Sequence, residues 1–173
     1  MAPDDWSRDL VTRTGFEFAV RPAEPADEAA LGAFFTHVVP EDLRFRFLTG
    51  ITSVGNGVGA VTSIEHGLTE NFLAVGKEQS DIIAIATLAC DEAMQVGEVA
   101  IAIRSDYKSR GISWDFLAHL AACAKAKGLA TVQSVESSEH HVAIDMERQP
   151  GFVAAPYPGD STLTIVQRQL QEC

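Results

Sequence analysis

The sequence is poor in cations, and this shortage excludes several classes of partner. It contains 13 Lys and Arg residues against 24 Asp and Glu residues, which gives a formal net charge of −11. Such an acidic surface repels nucleic acid and anionic membranes, so we expect neither as a partner. The acidity serves solubility, and it is also compatible with a cationic or amine-bearing partner.

Long apolar runs and a cysteine framework are also missing. The longest apolar run, Ile82–Cys90, has nine residues, whereas a bilayer span needs ~20. The start, MAPDDWSRDL, is acidic where a signal peptide would be basic, so we expect a cytoplasmic protein. Three cysteines without framework spacing, Cys90, Cys123 and Cys173, argue against a disulfide scaffold, and the first two fit small core positions.

The 173 residues are 46% apolar, which is enough for one domain with a sizeable core. We expect a loosely held arm over residues 1–15 and a single domain over 16–173. Apolar periodicity and turn residues predict the following elements. The strands are Phe16–Arg21, Asn71–Val75, Asp81–Cys90, Gln95–Ile103, Thr131–Val135, Phe152–Ala155 and Thr162–Gln167. The helices are Asp27–Val38, Asp42–Leu48, Val61–Gly67, Ile112–Lys127 and one from Ser137 or Ser138 to Arg148.

This order predicts a mixed α/β layer fold with an antiparallel meander in its middle. In the Ile112–Lys127 helix, the predicted buried face contains Phe116, Leu117, Leu120, Cys123 and Ala124. Asp115 and His119 are four residues apart and fall off that face. We therefore interpret them as a surface pair.

The stretch EVAIAIRSDYKSRGIS is the most informative part of the chain. A β-branched run, Val99–Ile103, ends in a polar turn, Arg104–Lys108, and Gly111 then opens a helix. The first turn of a helix has unpaired N–H donors at the positive end of the dipole, so it attracts anions. Lys108 and Arg110 add two cations. The segment predicts a phosphate or pyrophosphate site.

This order and the KSRGIS turn resemble the GNAT superfamily of acyl-CoA-dependent N-acetyltransferases over Phe16–Arg168. The family pattern Q/R-x-x-G-x-G/A is matched by Lys108, Gly111 and Ser113 in the first, fourth and last slots. The ending RQPGF is also similar, and RPAEPADEAALGAFFTHVVPEDLRFRFL looks like the GNAT domains of bacterial protein-lysine acetyltransferases. The resemblance implies a mixed, mostly antiparallel central sheet of about seven strands with helices on both faces.

The resemblance further implies acetyl-CoA as cosubstrate and no metal. The pantetheine arm would lie along the backbone of Ile101, Ala102 and Ile103. The remaining implied cofactor-binding residues are Lys108, Ser109, Arg110, Gly111, Ile112, Ser113, Trp114 and His140. The acceptor would be a primary amine, for which the front-end likeness suggests a protein lysine. A homodimer is compatible with exposed last strands.

Direct attack by an amine requires a base for its proton and a donor for the oxyanion, which a strand N–H can supply. Glu98 is the candidate base. It stands where members of the family often carry a glutamate, and partial burial could raise its pKa toward neutrality. The alternative is a solvent-facing strand residue. Glu65, His66 and Glu70 border the part of the chain where relatives build an acceptor pocket, and the alternative for them is ordinary helix-end polarity.

Several positions depart from the family pattern. Lys108 lacks the bidentate fork of Arg, and Ser113 replaces Gly or Ala. His140 stands where many relatives carry asparagine. Glu147 stands roughly where many relatives carry a tyrosine that acts as general acid. The adjacent pair His140-His141 would point ~100° apart on a helix, which is unsuited to a metal. These departures leave a second hypothesis open: a catalytically weak acyl-CoA-binding regulatory module. A third is a GNAT-like fold that has lost CoA binding.

Overall fold

A computed structural model describes residues 6–37, 69–78, 81–107, 110–137 and 151–170. In this part of the chain, eight strands form one sheet in the order β1-β2-β3-β4-β5-β6-β8-β7. The strands are β1 (Arg8–Val11), β2 (Glu17–Pro22), β3 (Thr69–Gly76), β4 (Ile82–Cys90), β5 (Val96–Ile103), β6 (Thr131–Ser137), β7 (Phe152–Tyr157) and β8 (Asp160–Gln169). Two α-helices accompany them, α1 (Glu28–Phe35) and α2 (Ile112–Ala126).

The middle of the sheet is the predicted antiparallel meander of β3, β4 and β5. β5 and β6 then run parallel, and α2 makes the crossover between them. Parallel neighbours require such a crossover, whereas antiparallel neighbours can be joined by a short turn. The remaining pairs of neighbouring strands are antiparallel.

The two helices pack on opposite faces of the sheet, as the alternation along β3 shows. Phe72 and Ala74 belong to the core that includes α2. Leu73 belongs to the core that includes α1, and Val75 packs against it. Successive strand residues point to opposite faces, so β3 contributes side chains to both cores. β4 is buried along its whole length, as expected for a central strand with a helix on each face.

A short 3₁₀ turn, Pro25–Asp27, introduces α1. The Asp27 carboxylate accepts two hydrogen bonds from Arg21, at 2.8 and 2.7 Å, and one from the Glu24 backbone N–H at 2.8 Å. These bonds lower the pKa of Asp27, and the Arg21 hydrogen bond is the largest cause. The turn therefore takes the first position of the predicted Asp27–Val38 helix, and α1 begins one residue later.

The predicted mixed α/β class is confirmed, with eight strands in place of about seven. The additional strand is β1. It pairs with β2 from Arg8–Val20 to Val11–Glu17, so part of the predicted arm over residues 1–15 is sheet edge. β6 extends through Ser137, which removes that residue as a helix cap. The predicted helices Asp42–Leu48, Val61–Gly67 and the one ending at Arg148 lie outside the described residues.

The interpretation of His119 as half of a surface pair is wrong. His119 is 5% exposed and lies edge-on to the rings of Trp6 and Phe72, at centroid distances of 6.4 and 5.7 Å. Its Nε2 is 3.8 Å from the Cys123 Sγ. Burial lowers the pKa of His119 and raises that of the partly buried Asp115. The physical reason is β1: the segment that begins at Trp6 covers a flank of α2 that periodicity alone assigns to solvent.

No helix within the described residues combines the length and apolar character needed to cross a bilayer.

Candidate functional site

The central feature of the candidate site is the divergence of the two parallel strands. The β5–β6 register consists of Val96–Thr131, Gly97–Val132 and Glu98–Gln133. Beyond these pairs, β5 continues to Ile103 and β6 to Ser137, and the described residues contain no further pairing between them. On its other side β5 stays paired with β4 through Ile103. We call Val99–Ile103 the open edge of β5.

The open edge has the length and chemistry to bind an extended ligand. Five strand residues span roughly 16 Å at about 3.3 Å per residue. An unpaired strand edge presents N–H and C=O groups, and an amide-bearing chain can pair with them as an added strand. Ile101, Ala102 and Ile103, which were predicted to hold the pantetheine arm, all lie on this edge. The Ala102 side chain is buried in the α1 core, and Ile101 and Ile103 pack toward α2.

The first turn of α2 follows the open edge after a short 3₁₀ turn, Ser105–Tyr107. Gly111 occupies the N-cap with φ of +82°, and no side-chain cap is found at this helix end among the described residues. A φ in this range favours glycine because a Cβ would be strained there. The first turn of a helix has N–H donors without backbone partners, and the phosphate site expected here stays a prediction. Ile112, Ser113 and Trp114 are the first residues of the helix.

The turn between β1 and β2 supports this helix start. A Cβ built on Gly111 would lie 3.5 Å from the Cβ of Thr12. The Thr14 hydroxyl donates to the Arg110 carbonyl at 3.3 Å, and the Thr12 hydroxyl lies 2.9 Å from that of Thr14. This support could not be predicted from neighbouring residues, because it depends on β1 being part of the sheet.

Arg110 is held in place by two aromatic rings. Its guanidinium carbon lies 4.8 Å from the ring centre of Tyr107 and 5.3 Å from that of Phe16, both within cation–π range. One long hydrogen bond of 3.5 Å joins its Nη2 to the Asp106 carbonyl. Arg110 and the two rings, together with Lys77, line a surface cleft of about 300 Å³ beside the start of α2. Sequence reasoning found the cation and missed the rings that orient it.

Glu98 directly precedes the open edge, in the last β5 position that is paired with β6. Its side chain is buried, with 5% exposure. It is the third residue of β5, not a solvent-facing strand residue. It shares a face with Ala100 and Ala102, and Ala102 belongs to the α1 core. Its register neighbours are Ala89 on β4 and Gln133 on β6. A carboxylate therefore stands on the α1 face where the two strands begin to separate.

Glu98 is one of five polar side chains on the α1 face, one from each of five neighbouring strands, with an offset of two residues between β4 and β5. We call this the polar row: Asn71, Thr87, Glu98, Gln133 and Gln167. The Thr87 hydroxyl donates to the Asn71 Oδ1 at 2.7 Å, and both side chains are buried. Gln167 Nε2 donates to Gln133 Oε1 at 2.9 Å. Polar side chains on a buried sheet face are costly unless they bind partners, so this row marks the face as chemically distinct.

Glu70, which was predicted for the acceptor pocket, lies on the opposite face of the sheet from Glu98. Its carboxylate is 3.1 Å from the Lys127 Nζ, and both side chains are 15% exposed. This ion pair joins β3 to the C-terminal end of α2. The structure therefore brings Glu70 together with α2 and not with the polar row.

Lys108, Ser109, His140, Glu65 and His66 lie outside the described residues, as does Glu147. In the part of the chain that is described, no three His, Cys, Asp or Glu side chains come together as a metal-binding group.

Comparison with known proteins identifies the fold. No protein-family model matches the sequence. The GNAT domain of S. lividans PAT is similar in structure with a TM-score of 0.81 and 20% identity, over 98% of this chain and 100% of that one. Ribosomal-protein-S5-alanine acetyltransferase from Vibrio fischeri gives 0.68 and 14%, over 96% and 97%. A cAMP-binding acyltransferase from Mycobacterium smegmatis gives 0.63 and 16%, over 96% of this chain and 48% of that one. This chain has the GNAT fold.

Proposed function

We propose that this protein transfers an acetyl group from acetyl-CoA to a primary amine. The observation that carries the proposal is the order in which Glu98, the open edge of β5 and the start of α2 at Gly111 follow one another. A carboxylate, an amide-binding strand edge and an anion site follow one another in that order. Acetyl-CoA has a thioester, an amide-bearing arm and a pyrophosphate in the same order.

The residues at both ends of this series suit acetyl-CoA. Ile101, Ala102 and Ile103 would hold the amides of the pantetheine arm through their backbone. The N–H groups of the first turn of α2 would bind the pyrophosphate, with Arg110 supplying positive charge from beside Gly111. A glycine at φ of +82° leaves the helix start without a side chain between the ligand and these donors.

Glu98 would act as the general base. An ammonium group has no lone pair, so the amine must lose a proton before its nitrogen can attack. The thioester supplies the electrophilic carbonyl carbon: the C–N bond forms, the C–S bond breaks and CoA leaves as a thiolate. Glu98 accepts the ammonium proton directly or through one water. After the C–N bond forms, the nitrogen loses a second proton, which the departing CoA thiolate takes up. Backbone N–H groups of the open edge are the donors available to the carbonyl oxygen.

The acceptor that we favour is a protein amine. Two of the similar structures are named for the acetylation of proteins, the S. lividans domain and the Vibrio fischeri enzyme. The fold likeness alone does not carry a substrate from one protein to another, because one fold supports many functions. The choice of a protein lysine therefore rests on the resemblance of the N-terminal part of the sequence to the GNAT domains of bacterial protein-lysine acetyltransferases. Variants of two residues of the polar row provide a test of this choice.

The proposed function is tested by measuring CoA release from acetyl-CoA with and without added amines, followed chromatographically. The proposal requires release that depends on the amine, together with the acetylated amine as product. Saturable binding of acetyl-CoA without amine-dependent release would instead support the acyl-CoA-binding module. Absence of both binding and release would leave only the fold.

A further inference from the structure

The carboxamides of Gln133 and Gln167 form a hydrogen-bonded pair directly beside the candidate base. Gln133 is the β6 register partner of Glu98, and Gln167 is the β8 register partner of Gln133. Their single side-chain bond is 2.9 Å long. Both side chains are partly buried, and in the described part of the chain neither makes another side-chain hydrogen bond.

This pairing leaves a particular set of hydrogen-bonding groups for a ligand. Each carboxamide has one carbonyl oxygen and one NH₂ group. With the Gln167 Nε2 bound to the Gln133 Oε1, the Gln133 Nε2 and the Gln167 Oε1 remain available. Exchanging oxygen and nitrogen in both amides also leaves one NH₂ group and one carbonyl. The complement of such a pair is another amide, which offers one carbonyl and one N–H.

Among the described residues of the polar row, the charges favour a neutral group over a second cation. Glu98 is the single ionisable residue in the polar row, and the other members are amides and a hydroxyl. Recognition of a second ammonium group calls for a second carboxylate or an aromatic cage. A neutral amide fits the groups that are present.

We propose that the Gln133–Gln167 pair binds a backbone amide of the acceptor, so that the substrate is a peptidyl amine and not an isolated alkylamine. This inference rests on the proposed function, since it assigns specificity to the same site. Glu98 would take the proton from the amine, and the pair one strand further on would hold the peptide group. The two glutamines are specificity-determining residues in this proposal and take no part in proton transfer.

The test compares two amines that share one reacting group. Nα-acetyl-lysine N-methylamide carries two amides, and n-butylamine is the same side chain without them. Both are measured with the wild type, Gln133→Met and Gln167→Met, which preserve side-chain length and remove the hydrogen bonds. Gln169→Met is the matched control, because Gln169 lies two residues further along β8 on the same face and bonds to Thr131.

We expect the ratio of kcat/KM for the diamide to kcat/KM for n-butylamine to fall about tenfold in either glutamine variant, the size of one lost hydrogen bond. The double variant should lose little more than one single variant, because the two residues act as a unit. Gln169→Met should keep the wild-type ratio. Thermal unfolding of each variant verifies that it is folded, and Gln167→Met suffices if Gln133→Met does not fold.

Three results would overturn the inference. An equal loss for both amines would make the pair a general part of the site. A raised KM for acetyl-CoA with an unchanged ratio would mean that the pair binds a pantetheine amide. An unchanged ratio without other effects would mean that it binds nothing. If the wild type acetylates neither amine, the proposed function fails. The inference is then tested separately by calorimetric titration of the CoA-saturated protein with the diamide. The diamide must bind more weakly to Gln133→Met than to the wild type, and equal binding would overturn the inference.

Discussion

Glu98 and Gln133 form the last register pair between β5 and β6 before the two strands separate. Glu98 lies on β5 directly before the open edge, and Gln133 lies opposite it on β6. Because opposed residues in a ladder share a face, the carboxylate and the carboxamide lie on the α1 side together. A ligand that enters the divergence along β5 would therefore end beside both.

Replacing Glu98 by Gln should reduce kcat about 100-fold, in the range expected for loss of a general base. The amide keeps the size of the side chain and cannot accept the proton. The acidic limb of the pH–rate profile should disappear with it. Steady-state kinetics over a range of pH measure both effects. Glu92→Gln, in the exposed β4–β5 turn, is the control and should behave like the wild type. An intact acidic limb in Glu98→Gln would assign the base elsewhere.

His119 should make the protein less stable as the pH falls. Burial lowers its pKa from 6.5, so the native state binds this proton less tightly than the unfolded chain does. The stabilisation is complete above about pH 6.5 and declines below it by up to ~1.4 kcal/mol per pH unit. Urea unfolding at a series of pH values measures the decline, and His119→Gln should flatten it.

The contribution of Asp27 falls in a separate and more acidic window. Since the Arg21 hydrogen bond lowers the pKa of Asp27 from 3.8, this stabilisation is present above that value and is lost as the pH falls through the native pKa. A slope near pH 6 that persists in His119→Gln would show that another group is responsible.

Asp27→Asn should destabilise the protein by about 1–3 kcal/mol at neutral pH. The substitution removes the charge from a carboxylate that binds Arg21 twice and the Glu24 N–H once, and this arrangement fixes the entrance to α1. Chemical denaturation measures the loss. Asp160→Asn is a suitable control, because that carboxylate also binds a nearby backbone N–H, that of Thr162, but lies at the exposed start of β8. Equal effects of the two substitutions would contradict the account of the Arg21–Asp27 pair.

Cys90 and Cys123 should resist thiol reagents in the folded protein. Burial raises the pKa of both thiols, that of Cys123 to about 12, so neither forms the reactive thiolate near neutral pH. In a Cys173→Ser background, we expect no labelling by a disulfide reagent at pH 8 and two labels per chain after denaturation. Rapid labelling of the native protein would mean that the α2 face of the sheet opens far more readily than its burial implies.

The parts of the fold that could be predicted are those specified locally. The run Ile82–Cys90 is apolar except for Thr87, and Gly111 follows a polar turn, so the central strand and the helix start follow from neighbouring residues. β1 could not be predicted in this way. Its sequence RDLV is short and only half apolar, and its strand conformation comes from pairing with β2.

The candidate site was predictable along one strand and not across several. Glu98 and the open edge of β5 occupy consecutive positions in the sequence. The polar row joins Asn71 to Gln167 over nearly a hundred residues, and its members meet only through the registers of five strands. The burial of His119 could not be predicted for a related reason, since the segment that covers it, which begins at Trp6, is distant in sequence.

Calorimetric titration with acetyl-CoA of the wild type, Gly111→Asp and Gly128→Asp tests the central claim most directly. Both glycines have left-handed φ, +82° and +87°, at opposite ends of α2, so the two variants carry similar backbone strain. The account predicts micromolar binding that is abolished by Gly111→Asp, where the carboxylate meets the anion site, and retained by Gly128→Asp. Full binding by Gly111→Asp, or none by the wild type, would contradict it.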